Sequence, residues 1–273
     1  MILQAGHFRL DLGRPHVMGI VNVTPDSFSD GGTHASPGLA VDFAQRLVED
    51  GAQILDVGGE STRPGAEPVS VAEELDRVMP VLEQVRAMQI PLSIDTYKPE
   101  VMAAALAAGA CIVNDVKALR EPGALEAVAR SNAAVCLMHM QGEPRTMQDN
   151  PRYGDVVQEV KAFLASRLAA AEAAGIGRER IVVDPGFGFG KTFAHNLDLL
   201  RQLESFRELG VPVLVGVSRK GMLGKITGRG TDDRVHSSVA AALLAVIKGA
   251  SIVRVHDVRA TRDALEVYGA MTG

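Results

Sequence analysis

The 273-residue chain has no tryptophan, only two cysteines and no long hydrophobic run. A membrane-spanning helix needs about 20 predominantly apolar residues in a row, and no stretch approaches that length. The first residues, MILQAGHFRLDLG, carry charges where a secretory signal peptide has its apolar segment. Cys111 and Cys136 lie in separate apolar runs without paired spacing. Together these features predict reduced, buried thiols and a cytoplasmic protein with no membrane partner.

An excess of basic charge is also missing. Lys and Arg together number 28 against 33 Asp and Glu, which gives a formal net charge of −5. A nucleic-acid-binding surface generally needs a positive field, so we expect small-molecule substrates and no nucleic-acid partner. Hydrophobic residues make up 47% of the chain, which suffices for one large core. Without a low-complexity linker, the chain is predicted to form a single domain over residues 1–273.

Eight short apolar runs are present, and each ends on a polar or glycine-rich cluster. They begin at His16, Gln53, Pro91, Cys111, Ala134, Arg180, Pro212 and Ser251. Segments between them have helical period and predict helices over 37–50, 71–88, 99–108, 122–131, 155–174, 196–209, 232–248 and 260–271, with Pro80 expected to kink or break the second. Eight alternating strands and helices predict an α/β fold, the (β/α)8 TIM barrel. An alternating segment at 7–13 predicts a short N-terminal β-hairpin that closes the bottom of the barrel.

Polar side chains collect at the predicted strand ends, which form the catalytic face of such a barrel. They are Asn22, Arg63, Asp95, Asn114, His139, Asp184, Lys220, Arg254 and His256. Three long glycine- and proline-rich connections, 24–37, 58–70 and 140–150, are expected to cover this face as binding loops. The alternative for each of them is an ordinary surface insertion.

Two of these groups suggest ligand chemistry. Asp95, Asn114 and Asp184 come from three different strands, and together they can match the N–H donors and acceptors of a flat heterocycle such as a pterin or guanine. The alternative is a structural network that joins the strands, because a buried carboxylate needs a partner in either case. The segment DPGFGFGK, which begins at Asp184, adds phenylalanines for stacking but lacks the P-loop pattern.

Cationic side chains make up the second group. Lys220, Arg254 and His256 follow the seventh and eighth strands, where barrels commonly bind phosphate. Arg63 on a connection adds a further cation, and Asn22 lies at the end of the first barrel strand. Taken singly, an Arg or Lys is usually a solvated surface charge. Together they predict a site for a dianion or a pyrophosphate.

The motifs that carry this chemistry resemble those of the dihydropteroate synthase family of bacterial folate biosynthesis. VNVTPDSFSDGG and GGESTRPGA are the most specific, and SIDTYKPE, NDV, CLMHMQG, DPGFGFGK, GVSRK and RVHDV follow in order. The resemblance covers almost the whole chain. It implies that 6-hydroxymethyl-7,8-dihydropterin pyrophosphate is joined to p-aminobenzoate, giving 7,8-dihydropteroate and pyrophosphate. It also implies a Mg²⁺ cofactor and a homodimer.

The same resemblance implies roles for particular residues. Those implied to hold or pack beside the pterin are Asp95, Asn114, Met138, Asp184, Phe189, Lys220 and Arg254. Those implied to hold pyrophosphate and magnesium are Asn22, Arg63, Arg254 and His256, with Asn22 as the metal ligand. Those implied to wall the p-aminobenzoate pocket are Phe28, Thr62, Arg63 and Pro64. The catalytic set is then Asp95, Asp184, Lys220, Arg63, Arg254 and His256.

One position departs from the family pattern. Gly221 follows the SRK motif, where several members have a serine that helps hold the aminobenzoate carboxylate. Here that carboxylate would depend more on backbone N–H groups at the start of the next short helix.

Two other functions are compatible with a pterin-binding barrel. A pterin-dependent methyltransferase domain that uses methyltetrahydrofolate would share the barrel and its acids, but it has no need for the TPDSFSDGG loop or a pyrophosphate site. A degenerate relative that binds pterin without turnover would have lost Asn22, Arg63, Lys220 or His256, and all four are present. We therefore expect dihydropteroate synthase activity, with the methyltransferase as the alternative.

Overall fold

A hairpin begins the chain and closes the bottom of a barrel. In the computed structural model, which describes residues 1–24, 37–61 and 65–272, strands β1 (Ile2–Ala5) and β2 (Phe8–Asp11) pair antiparallel. Their buried side chains pack on residues near the N-terminal ends of the barrel strands: Met18, Ile54, Ile112, Ala134, Val182, Leu214 and Ile252. The predicted hairpin is confirmed, and its first strand begins earlier than the alternating pattern indicates.

Eight parallel strands form the barrel. They are β3 (His16–Asn22), β4 (Ile54–Gly58), β5 (Leu92–Asp95), β6 (Ile112–Asp115), β7 (Ala134–Met138), β8 (Ile181–Asp184), β9 (Leu214–Val215) and β10 (Ile252–Val255). Their order is β8-β7-β6-β5-β4-β3-β10-β9. A parallel bridge between Val183 and Val213 brings the two outer strands together, so the sheet is nearly closed. The predicted (β/α)8 barrel is confirmed.

Helices surround the strands. They are α1 (Pro37–Glu49), α2 (Val71–Val85), α3 (Pro99–Ala108), α4 (Ala124–Ala129), α5 (Val156–Ala173), α6 (Phe193–Arg201), α7 (Gly221–Thr227), α8 (Val235–Ile247) and α9 (Val258–Thr272). Of the kink or break predicted at Pro80, the break is wrong, because α2 continues through Pro80 to Val85. Buried Val78, Val81 and Leu82 hold this helix against the core, which offsets the backbone hydrogen bond that proline cannot donate.

The predicted helix over 196–209 is two elements. Helix α6 begins earlier, at Phe193, because the Thr192 hydroxyl accepts from the His195 N–H while the His195 ring accepts from the Thr192 N–H. This reciprocal cap satisfies backbone donors that a helix start leaves open. After Gln202 a separate 3-10 helix, Leu203–Leu209, follows.

Alternation along the strands separates two environments. One set of strand residues packs on the helices: Val17, Val21, Leu55, Val57, Ile94, Val113, Val135, Leu137, Val183 and Val253. The other set faces the interior, since successive strand side chains point to opposite faces. Its first layer is the apolar floor under which the hairpin packs, and the next layer along the strands brings in charged and amide side chains. This next layer carries Asp56, Asn114, Asp184 and Arg254, each two residues beyond a floor residue.

Candidate active site

Arg254 connects two carboxylates across the barrel interior. Its Nε donates to Asp56 Oδ2 at 2.6 Å, and its Nη2 donates to Asp95 Oδ2 at 2.7 Å. Asn114 Nδ2 donates to the same Asp56 Oδ2 at 3.0 Å. One polar network therefore joins β4, β5, β6 and β10, and the fully buried Asp56 fixes the orientation of both Asn114 and Arg254.

Two carboxylate oxygens of this network take no part in its hydrogen bonds. Within the described part of the chain, Oδ1 of Asp56 and Oδ1 of Asp95 are buried without a hydrogen-bond partner. Burial raises the pKa of Asp95 to about 7, against the opposing attraction of Arg254. Burial also opposes the charge of Arg254, but Asp56 and Asp95 outweigh it and raise the pKa of the guanidinium. Because an unpartnered buried acceptor is costly, a ligand N–H facing Asp95 would be stabilised here.

Asp184 lies at the end of β8 and is 5% exposed. Its Oδ1 accepts the Gly186 N–H at 2.7 Å. Burial raises the pKa of Asp184 to about 6, although the Gly186 bond and the charges of Lys220, Lys191 and Arg254 favour its ionised form. Near neutral pH this carboxylate is a charged acceptor in a low-dielectric setting, where a hydrogen bond is strong.

An apolar wall stands beside these acids. Met138 and Phe189 are buried in one small cluster with Met140 and Met147. Both of the latter come from the connection 140–150, so this loop borders the same site. The ammonium of Lys220 lies 4.1 Å from the centroid of the Phe189 ring, a distance at which a cation is attracted to an aromatic face. A flat ring could pack here beside acceptors and a donor.

The cationic side of the site is built from the ends of β3, β9 and β10. Ser218 Oγ lies 3.0 Å from His256 Nδ1 and accepts the His256 backbone N–H at 3.2 Å, so one hydroxyl contacts both the ring and the backbone of His256. Lys220 is the residue that precedes α7. Asn22 is half-buried at the end of β3, in register with Gly58.

The structure brings together much of the predicted site. Asp95, Asn114 and Arg254 share one network, and Lys220 contacts Phe189. The predicted residues Phe28, Thr62, Arg63 and Pro64 lie outside the described residues.

Asp56 was missed by sequence reasoning. The signal for it was alternation: in ILDVG the aspartate lies two residues after Ile54, which places it on the inward face.

Comparison with known proteins agrees with this geometry. The family described as pterin binding enzyme matches residues 18–256, and the chain belongs to it. The dihydropteroate synthase of Escherichia coli (strain K12) is 52% identical over 262 residues, covering 96% of this chain and 93% of the relative. The predicted resemblance to dihydropteroate synthases is thereby confirmed.

Solved structures give the same result. Dihydropteroate synthase of Xanthomonas albilineans with 4-aminobenzoic acid superposes with a TM-score of 0.92 at 58% identity, covering 97% of this chain and 96% of that one. The enzyme of Burkholderia cenocepacia, complexed with 7,8-dihydropteroate, has a TM-score of 0.91 at 52% identity, covering 99% and 96%.

Proposed function

We propose that this chain catalyses the dihydropteroate synthase reaction, in which p-aminobenzoate displaces pyrophosphate from 6-hydroxymethyl-7,8-dihydropterin pyrophosphate. The chain is then a transferase of folate biosynthesis. The observation that carries the proposal is the buried network at the strand ends, where no described residue is a hydrogen-bond partner for Oδ1 of Asp95. The related structures with 7,8-dihydropteroate and with 4-aminobenzoic acid support the same substrates.

The pterin would be held by complementary donors and acceptors. The carboxylates of Asp95 and Asp184 accept N–H groups from the guanidine-like edge of the ring, and the Lys220 ammonium donates to a ring acceptor. Asn114 has its amide N–H₂ engaged by Asp56, which leaves its carbonyl oxygen as an acceptor. These groups select a heterocycle by pattern, since a mismatched ring would leave buried polar atoms unpaired.

Departure of pyrophosphate is the step that the cations favour. As the bond between the methylene carbon and the pyrophosphate oxygen breaks, negative charge grows on the leaving group and positive charge on the pterin. The negative charge on the leaving group is stabilised by Arg63, Lys220, Arg254 and His256. The positive charge on the pterin is stabilised by the buried carboxylates. The aminobenzoate nitrogen then attacks the methylene carbon and loses a proton, which completes 7,8-dihydropteroate.

The p-aminobenzoate pocket would be completed by Phe28, Thr62, Arg63 and Pro64. Its carboxylate would lie near the start of α7, which begins at Gly221. This assignment depends on the family motif.

A magnesium ion is also part of the proposal. Among the described residues, no group of three or more His, Cys, Asp or Glu side chains is gathered to hold a metal. Asn22 presents a carboxamide oxygen at the end of β3, and oxygen is the donor that Mg²⁺ prefers. A single protein ligand suits Mg²⁺, because this ion usually keeps several waters and takes further oxygens from substrate phosphates. When bound, the ion would help to neutralise the pyrophosphate charge.

A homodimer is the proposed assembly. Helices α8 and α9 pack on each other, and each carries exposed large apolar side chains. On α8 these are Leu244 and Ile247, and on α9 they are Val267 and Met271. Exposed large apolar side chains on two helices that pack on each other are typical of a surface that a partner covers.

Charge on this surface should therefore disrupt assembly. We expect the protein to sediment as a dimer and the double variant Leu244→Asp, Ile247→Asp to sediment as a folded monomer. Ile226→Asp, an exposed apolar position on α7, is the control and should remain dimeric. A wild-type protein that sediments as a monomer at all concentrations would contradict the proposal.

We also propose a cytoplasmic location. Across the residues described, no helix combines the length and apolar character needed to cross a bilayer. Cys111 and Cys136 are buried free thiols, and burial raises the pKa of Cys111 to about 11. Unpaired, protonated thiols suit a reducing compartment.

The activity is tested directly by mixing the protein with both substrates and Mg²⁺ and following pyrophosphate release. Release should require p-aminobenzoate and should yield 7,8-dihydropteroate. Methyltetrahydrofolate with a corrinoid acceptor is the competing assay and should give no methyl transfer. Methyl transfer without pyrophosphate release would favour the alternative function.

A further inference from the structure

Lys191, the last residue of the DPGFGFGK segment, is only 2% exposed although it carries an ionisable amine. Its Nζ faces three acceptors: His139 Nδ1 at 2.9 Å, the Phe189 carbonyl oxygen at 3.0 Å and the His139 carbonyl oxygen at 3.3 Å. A protonated lysine has three donors. The three acceptors around Lys191 therefore match the three N–H donors of its charged form.

The match requires a neutral imidazole at His139. Burial and the adjacent Lys191 lower the pKa of His139 to about 3, and the ring packs edge-on against Phe163 with centroids 4.9 Å apart. His139 is thus uncharged at physiological pH. Since its Nδ1 accepts from Lys191, its proton lies on Nε2.

The loop that carries Lys191 is bound tightly to the end of β7 and the segment after it. A Cβ on Gly186 would lie 1.9 Å from the His139 carbonyl oxygen, and one on Gly190 would lie 2.3 Å from that of Gln141. Both glycines have positive φ. The Tyr153 hydroxyl donates to the Gly190 carbonyl at 2.8 Å. The backbone of this loop cannot shift without losing these contacts.

The same loop sets the environment of Asp184. Gly186, which lies against His139, donates its N–H to Asp184 Oδ1. Lys191 adds positive charge that favours the Asp184 carboxylate.

Other charged and titratable groups also face Asp184. They are Lys220 before α7, Arg254 on β10 and the Cys136 thiol on β7. Among these cations it is Lys191 that lies on the same loop as Gly186, and the Phe189 carbonyl oxygen of that loop accepts from its ammonium.

We propose that Lys191 is a positioning residue of the pterin site, which anchors the loop after β8 to His139 and holds Asp184 in its ionised form. The inference rests on the proposed function for the identity of the ligand. Removing a positive charge near a carboxylate makes ionisation harder, so a variant without this charge should keep the Asp184 proton to higher pH.

The first test needs no ligand. Lys191→Met removes the charge and keeps an apolar chain of similar length, and Lys191→Gln is a second variant that retains amide donors. Tyr153→Phe is the matched control, since it removes a hydrogen bond to the same loop without changing charge. The pKa of Asp184 is measured by ¹³C NMR of the aspartate carboxyl carbons, assigned with Asp184→Asn. We expect a rise of about one unit in both Lys191 variants and no rise in Tyr153→Phe.

The wild-type protein supplies a measurement that no folding defect can obscure. Burial lowers the pKa of Lys191 to about 7, so the Asp184 carbon should show a second, smaller step as Lys191 loses its proton. A single step, an unchanged Asp184 pKa in the folded Lys191 variants, or an equal rise in Tyr153→Phe would overturn the proposal.

The second test links the charge to binding. Affinity for 6-hydroxymethylpterin, measured by calorimetry from pH 5 to 8.5, should be roughly tenfold lower in Lys191→Met below about pH 6. The difference should narrow at alkaline pH, where wild-type Lys191 is itself uncharged. Equal affinities at low pH would count against the role of Lys191. A wild-type protein that binds no pterin at any pH would contradict the proposed function instead, and the carboxyl titration would still decide the role of Lys191.

Discussion

The acidic residues at the strand ends differ in how many of their carboxylate oxygens are hydrogen-bonded within the barrel. Asp56 is fully buried, and one of its carboxylate oxygens accepts hydrogen bonds from both Asn114 and Arg254. One oxygen of Asp95 accepts from Arg254, and the other has no hydrogen-bond partner among the described residues. Asp184 accepts a single backbone N–H in the described structure. Asp56 thus orients neighbouring side chains, while Asp95 and Asp184 keep capacity for a ligand.

The contribution of Asp184 to pterin binding can be measured. Asp184→Asn replaces an acceptor with a group that donates on one side, so affinity for 6-hydroxymethylpterin should fall by roughly 1.5–3 kcal/mol, the value of a charged hydrogen bond. Calorimetric titration gives the affinity. Asp198→Asn on α6 is the control, because the ion pair that Asp198 forms within the described residues is with the exposed Arg201. Unchanged pterin affinity in Asp184→Asn would remove Asp184 from the site.

Gly221 allows a gain of function at the aminobenzoate end. A Cβ at this position meets no atom of the described residues within 4 Å, so a serine would fit without displacing these neighbours. Gly221→Ser should add the side-chain contact that the family resemblance implies and lower the KM for p-aminobenzoate several-fold, with little effect on pterin affinity. Steady-state kinetics with each substrate varied in turn would separate the two. Gly221→Ala should leave the KM near wild type, which tests whether the hydroxyl is responsible.

At the scale of elements, connections at the carboxyl ends of the strands are held by buried side chains. The connection after β4 leaves the barrel through Glu60, which pairs with Lys98 and accepts from the Tyr97 hydroxyl at 3.1 Å. Lys98 also pairs with the fully buried Glu74. Arg77 donates to the Gly59 carbonyl oxygen at 2.7 Å. Gly59 and Glu60 are therefore both held in place by side chains of neighbouring elements.

Arg63 gives a contrast between activity and stability. Its planar fork of donors matches pyrophosphate oxygens in a way that lysine cannot reproduce. Arg63→Ala should lower turnover by about two orders of magnitude, as expected for loss of one preorganised stabilising donor, and Arg63→Lys should recover part of this. The melting temperature should change little. Arg145→Ala, which removes an exposed arginine paired with Glu67, is the control. Equal loss of phosphate-free pterin binding in Arg63→Ala would show a role other than leaving-group stabilisation.

At the scale of the whole molecule, the barrel accepts a polar interior because an apolar floor and an apolar outer layer surround it. The hairpin and first strand residues form the floor, and the helices cover the outside. Buried acids nevertheless cost stability in the unliganded protein. Burial raises the pKa of Asp184 from 3.8 to about 6 and that of Asp95 to about 7.

This cost predicts a pH-dependent stability difference. A raised folded-state pKa means that Asp184 contributes stability below about pH 4, and this contribution is lost as pH rises through about 6. Asp184→Asn has no such loss. The free energy of unfolding of the unliganded variant, taken relative to that of wild type, should therefore rise by on the order of 2–3 kcal/mol between pH 4 and pH 7.5. Denaturant unfolding at several pH values measures it. A difference that is flat or falls with pH would show that Asp184 is not strained by burial.

Asp184→Asn is thus expected to be more stable and less able to bind pterin, the trade that active sites commonly show. Asp198→Asn serves again as control. Because Arg201, the partner of Asp198, is exposed, the stability of the Asp198→Asn variant relative to wild type should stay nearly constant over the same pH range.

Much of the fold and of the site could be predicted from the chain because the signals are local. The apolar run that contains Ile181 ends on Asp184, and the run that contains Ile252 carries Arg254 and ends on His256. The barrel rule alone places these ends on one face. Errors arose where a local signal met tertiary packing. Pro80 lowers helix propensity, but the core behind α2 outweighs it.

The sequence by itself determined which side chains alternate inward and that they come from the ends of parallel strands, since period and chain order need no contacts to be read. Only the tertiary structure decided which of them touch. Arg254 meets Asp56 across 198 residues of sequence, and Lys191 meets His139 across 52. Barrel closure sets the first contact, and the packing of one loop on the next sets the second. The charge of each group therefore depends on partners that no local pattern specifies.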